Sequence, residues 1–227
     1  MLWSETAVRE NIRNRDGKRV FYLGKGDQLT SGARDWLGRE RIAILPAEQA
    51  KQDVYRLPNG GYITQKPEHM THLNGDILVP KTHPRIIFRG KVDTLEAELI
   101  LSQLAAPELE HPVGEVLALT RQIIRCDVLD QPLKPEKLLG MTSDKLRKRS
   151  HFPQEFYGQP HFAPSASDGP VIARLNRARC AAREAELAGL EAFADREGNP
   201  TRPDILQTMN RISSAIYILM VQQKAKL

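Results

Sequence analysis

The sequence predicts a mainly α protein, an up-and-down bundle of four or five helices with a small N-terminal α+β unit in front. Three observations lead there. The stretch from Thr201 to about Lys224 spaces Ile205, Met209, Ile212, Ile216 and Leu219 four and three residues apart, a seam for packing on other helices. The stretch from Pro84 to about Ala105 has apolar positions that nearly encircle it after Val92, which marks a central, buried helix. Short joints link these to further helical stretches, with no internal repeat or low-complexity tract.

Taken in order, residues 4–14 predict a short helix capped by Ser4. Arg19 to Leu23 alternates as a strand and stops at Gly24 and Gly26. Thr30 or Ser31 caps a helix through Leu37, and Arg41 to Leu45 predicts a second strand. These make an α+β unit over 1–50. Residues 51–83 form a connector and loop region, with a turn at Pro58-Asn59-Gly60-Gly61 and a polar loop from Lys66 to Asp76.

The bundle occupies 84–227. Pro84 opens its first helix, where Arg85, Arg89 and Asp93 fall four apart as a charged stripe. A second helix runs from about Pro112 to Leu129, and a short one from Thr142 to Arg149. Residues 150–169 carry Phe152, Phe156, Tyr157 and Phe162 among prolines and predict an aromatic-rich loop. An arginine-rich helix fills 170–195, and Gly198-Asn199-Pro200 turns into the final helix with Thr201 as its N-cap.

Composition narrows the function. The chain has 227 residues, 41% of them hydrophobic and 6% aromatic, which suits a soluble globular protein. No apolar run approaches the length of a membrane span, and the charged N-terminus argues against secretion. Cys126 and Cys180 are not spaced as a metal knuckle, so reduced thiols in the cytoplasm are expected. A net charge of +5 suits an anionic partner, either nucleic acid or a phosphorylated small molecule.

Arg179 and Arg183 stand one turn apart on one helix face, suited to gripping phosphates or carboxylates. The plainer alternative is an exposed face laced with pairs to Glu184 and Glu186. His69, His72 and His83 cluster before the first bundle helix, but no cysteine lies near enough to complete a structural zinc site, so no metal site is expected. No phosphate loop, Rossmann fingerprint or nucleophile triad is present. The residues alone lead to a basic helical bundle that binds an anionic ligand.

Three segments resemble the ATP:corrinoid adenosyltransferases, in particular their ethanolamine-utilization branch. They are KPEHMTHLNGDILVPKTHPRIIFRGKVDTLEAEL at 66–99, FAP followed by ARLNRARCAAREAE ending at Glu186, and RPDILQTMNRISSAIYILM at 202–220. The resemblance implies a cobalamin adenosyltransferase-like bundle, a homotrimer with active sites at subunit interfaces. It implies that Thr71, His72 and Asn74 line the triphosphate, that Lys81 neutralises it and that Arg183 clamps it. Asp93 and Arg179 would pair across the subunit boundary, and Asn210 would hold the nucleotide. Phe162, or His161 beside it, would cover the lower face of the corrin. The expected substrates are ATP with Mg²⁺ and cob(II)/cob(I)alamin. Further copies of the chain, a reductase and an adenosylcobalamin-dependent lyase are the expected partners, in the cytoplasm or at a bacterial microcompartment.

Two departures stand out. Some relatives in this branch carry a His/Cys-rich metal motif before the ATP loop, whereas Asp53 to Gln65 contains no cysteine. Ser214 stands where many relatives outside the branch have an acidic residue. Two rival readings are a basic nucleic-acid-binding module and a corrinoid-binding or assembly protein without catalysis.

Overall fold

The computed structural model describes residues 1–15, 17–49, 54–134 and 137–227. The chain divides into two compact units: Met1–Arg56 with Gly61–Gln65, and Leu57–Gly60 with Lys66–Leu227.

The first unit is built from strands β1 (Leu2–Trp3), β2 (Arg13–Arg15), β3 (Lys18–Leu23), β4 (Gln28–Leu29) and β5 (Ala43–Pro46), with helices α1 (Glu5–Glu10) and α2 (Ser31–Arg39). Strand β3 pairs antiparallel with β2 and parallel with β5. Ser4 and Thr30 cap the two helices as their types predict. Val8, Phe21, Ala33, Leu37 and Ile42 form the core, with the Trp3 ring edge-on to Phe21. The sequence pattern missed β2, a short strand of alternating arginines with no apolar face to announce it. Strands β6 (Tyr55–Arg56) and β7 (Tyr62–Ile63) pair antiparallel around the turn expected at Pro58. Residues 50–53, at the predicted boundary between the α+β unit and the connector, lie outside the described residues.

The second unit begins with an antiparallel hairpin, β8 (Met70–Asn74) and β9 (Ile77–Pro80), where the sequence predicted a polar loop. Met70-Thr71-His72-Leu73 lacks enough apolar character to signal a strand. It pairs because Leu78 and Val79 opposite it are fully buried. Four long helices follow: α3 (Pro84–Ala105), α4 (Glu110–Val128), α7 (Gly169–Ala192) and α8 (Pro203–Lys224). Two short ones, α5 (Ser143–His151) and α6 (Pro153–Tyr157), lie in the link between α4 and α7. The expected helical bundle with a small N-terminal α+β unit is what forms.

Ion pairs and one side-chain hydrogen bond fix the helix directions. Lys91–Glu184 and Glu98–Arg177 set α3 against α7, Glu96–Arg121 sets α3 against α4, and Asn210–Glu186 with Lys224–Asp168 sets α7 against α8. Each pairing is antiparallel. Since α4 and α7 therefore run in the same sense, the segment bearing α5 and α6 must return along the bundle before α7 begins. The core is the seam the sequence predicted: Ile205, Met209, Ile212, Ile216 and Leu219 are buried with Phe88, Val92, Leu95, Leu99, Leu175 and Ala182. Helix α7 supplies alanines at this seam, which lets the neighbouring helices approach closely.

Thr201 does not cap α8. Its hydroxyl and its backbone N–H both donate to the Phe193 carbonyl, closing the turn from α7 at 2.9 and 2.7 Å. Arg202 takes the cap position and grips Asp204.

Candidate active site

A carboxylate without solvent organises the near end of the bundle. Asp127, on the last turn of α4, is fully buried and receives Arg85 Nε at 2.9 Å and Arg89 Nε at 2.7 Å. The i,i+4 arginines of the predicted stripe thus converge on one partner. Asp93, the third member, stays exposed on α3. Arg89 also donates to the Leu73 carbonyl at 2.7 Å, which ties strand β8 to the bundle. His83 caps α3 by accepting the Arg85 N–H at its Nδ1. Burial first, and then the Arg85 and Arg89 charges, lower its pKa against the opposing pull of Asp127, so the neutral ring acts as acceptor.

The hairpin so fixed carries Thr71, His72, Asn74 and Lys81. Lys81 is exposed, with its backbone N–H bonded to the His69 carbonyl, and the His72 ring lies 3.1 Å from the Gly75 carbonyl. Asn74 Oδ1 is buried and accepts no hydrogen bond among the described residues.

On the other flank of α7 lies an open cleft of about 600 Å³ between α7, α8 and the segment after α6. Arg179, Arg183 and Glu186 reach it from α7; Asn210, Ser213, Ser214 and Tyr217 reach it from α8; His161 and Phe162 close its wall. Asn210 donates to Glu186 Oε1 at 2.8 Å and accepts from Arg211 at 2.6 Å, so its amide is oriented from both ends. Arg179 bonds Asn176 Oδ1 and lies 6.0 Å over the Tyr217 ring. Arg183 is exposed and forms no ion pair among the described residues, leaving its guanidinium for a ligand.

Four of the residues singled out from the sequence therefore share one cleft: Arg179, Arg183, Asn210 and Phe162. The plainer alternative for Arg179 and Arg183 fails, because Glu184 pairs instead with Lys91 and Arg177 on the α3 side. Thr71, His72, Asn74, Lys81 and Asp93 do not line that cleft within the same chain. They gather around the hairpin and the first turns of α3. The sequence reasoning missed Asp127, whose signal was the need of two arginines one turn apart for a shared carboxylate. It also missed Tyr217 and its contacts with His161 and Arg179.

The cobalamin adenosyltransferase family matches residues 61–223, which spans the hairpin and all four long helices. The chain belongs to that family. Comparison with curated members of the cobalamin adenosyltransferase family adds the branch. The chain is 30% identical to the corrinoid adenosyltransferase EutT of Salmonella typhimurium strain LT2 and 33% identical to EutT of Escherichia coli K12. In each case 98% of this chain and 92% of the relative are covered. At 98% of this chain, both likenesses extend into the residues before 61 that the family match does not reach. No solved structure matches the chain. Among the described residues, no helix is long and apolar enough to cross a membrane.

Proposed function

We propose that this chain transfers the 5′-deoxyadenosyl group of ATP to the cobalt of a reduced corrinoid, releasing triphosphate, at sites completed by a second copy of the chain. It is a corrinoid adenosyltransferase of the ethanolamine-utilization type. The observation that carries the finer reading is the separation of the candidate residues into two groups. One group, at the hairpin, offers Lys81, Thr71 and His72 to a triphosphate, and the unsatisfied Asn74 carbonyl oxygen to a hydroxyl or amine donor of the nucleotide. The other, in the cleft, offers Arg183, Asn210 and an aromatic wall. Neither alone supplies both a triphosphate cradle and an apolar face for a corrin ring. Juxtaposed across a protomer boundary they supply both, with Asp93 free to meet Arg179, and a closed homotrimer satisfies this for every copy.

The chemistry follows from these groups. In-line attack on C5′ of ATP needs the ribose held and the departing triphosphate stabilised, the work of Lys81 and the unpaired Arg183. Mg²⁺ enters with the nucleotide. Among the described residues, Glu186 is the one acid lining the cleft, so phosphate and water would supply most of the metal's ligands. The corrinoid provides the nucleophile, and Phe162 provides a lower-face wall without a ligating atom. A reductase upstream and an adenosylcobalamin-dependent lyase downstream fit this chemistry.

The test is an anaerobic absorbance assay of reduced cobalamin with MgATP, with and without added Fe²⁺ or Zn²⁺. Adenosylcobalamin should form with MgATP alone and should be abolished in Arg183→Ala. No product under any of these conditions would refute the activity.

A further inference from the structure

The segment 158–168, between α6 and α7, forms a strap along the cleft. It is bounded by Gly158 (φ +66°) and Gly169 (φ +82°), both in the left-handed region where glycine is favoured. Its far end is anchored by buried Asp168, which receives Lys224 Nζ and the Ser165 N–H, each at 2.6 Å. Its near end, where Phe162 lies, contains no regular structure, so something else must hold it.

His161 does this with both ring nitrogens. Nε2 lies 3.0 Å from the His151 carbonyl, which only accepts, so Nε2 carries the proton. In the neutral ring Nδ1, 2.8 Å from the Tyr217 hydroxyl, then accepts that O–H. The two rings stack at 5.6 Å and 15°, while Phe162 stacks on Tyr217 at 6.4 Å and 25°. Burial, the largest cause, raises the Tyr217 pKa above its usual value against the Phe162 backbone N–H and the Arg179 charge, so the phenol keeps the proton it donates. With both nitrogens engaged, His161 has none left for cobalt.

We propose that His161 is a positioning residue for corrinoid binding: clipped between Tyr217 on α8 and the His151 carbonyl at the end of α5, it sets Phe162 as the wall of the cleft. This rests on the corrinoid reading given above. The clip acts on one substrate only, since Arg183 and Asn210 are held independently on α7 and α8.

Steady-state kinetics with each substrate varied, together with hydrogen exchange of the Phe162 amide, test this in the full chain. His161→Ala should raise the KM for the corrinoid about tenfold or more, leave the KM for ATP within about twofold, and speed exchange at Phe162. Tyr217→Phe should follow in the same direction. His161→Asn, whose amide oxygen can stand near the position of Nδ1, should recover most of the loss. In electron paramagnetic resonance of bound Co(II)cobalamin with MgATP, His161→Ala should raise the fraction retaining a lower axial ligand. An active wild type with an unchanged His161→Ala variant overturns the clip alone, as does an equal loss of affinity for both substrates. An inactive wild type overturns the corrinoid reading and this role with it, even where exchange still shows the strap held.

Discussion

Removal of the Asp127 carboxylate is the sharpest test of how the hairpin is held. The side chain has no exposure, and its partners Arg85 and Arg89 retain only 18% and 14% of theirs. In Asp127→Ala two guanidinium groups would remain largely desolvated without a counter-charge. Breaking such a pair costs about 3–5 kcal/mol. For a chain of this size that amounts to a fall in Tm of roughly 6–20 °C. Urea unfolding followed by far-ultraviolet circular dichroism reads the loss as a lower midpoint. Exchange at the Lys81 amide, which donates to the His69 carbonyl, should quicken as the Arg89–Leu73 tie loosens. A companion variant sharpens the point. Exchanging Asp127, Arg85 and Arg89 together for Leu, Met and Met removes every stranded charge, so it should cost less than the single change while leaving hairpin exchange fast. An Asp127→Ala protein within about 1 kcal/mol of wild type would refute the view that this carboxylate organises the end of the bundle.

Two further perturbations probe the bundle seam. Gly189 on α7 sits in a tight place: a Cβ there would lie 3.2 Å from both Leu206 Cδ2 and the ring of fully buried Phe88, so both must give way. Gly189→Ala should therefore lower stability by about 1 kcal/mol despite better helix propensity, since overpacking costs more than propensity returns; a raised urea midpoint would show slack in the seam. Burial pushes the Asp204 pKa up, but the Arg202 side chain and the Leu133 and Ile205 N–H groups more than offset this, bringing it down to about 2. A carboxyl lowered in the folded state stabilises above its unfolded pKa and loses that contribution as pH falls through the folded value. Asp204→Asn should thus be less stable than wild type by about 1 kcal/mol at neutral pH, after allowance for its partial exposure. The gap should close between about pH 4 and pH 2, and a gap constant over that range in thermal scans would contradict the pairing.

Much of this molecule was legible in its residues because the bundle states its periodicity openly. The limits of α3 follow from Pro84 and the apolar run behind it, and the buried face of α8 is the seam from Ile205 to Leu219. What stayed hidden depended on tertiary partners. Strand β8 carries polar residues and forms because Leu78 and Val79 need a covered face. Thr201 has the chemistry of a cap but is drawn off by the Phe193 carbonyl. In the site, Arg183 was legible from its one-turn spacing with Arg179, and Asn210 through the resemblance carried by its helix. Asp127 was not, because a single acid at the end of an apolar helix gives no sign of which arginines will reach it. The hold of Tyr217 on His161 joins residues 56 positions apart and has no local signature.

In the proposed enzyme, hairpin and cleft at each site belong to different copies of the chain. Mixing Lys81→Ala and Arg183→Ala proteins under conditions that exchange subunits tests it most directly. Each variant alone should be nearly inactive. In the mixture, a protomer keeping Lys81 can face one keeping Arg183, so a fraction of sites is intact and activity should reappear. Activity no greater than that of the separate variants, despite demonstrated subunit exchange, would place both residues in one protomer's site and contradict the account.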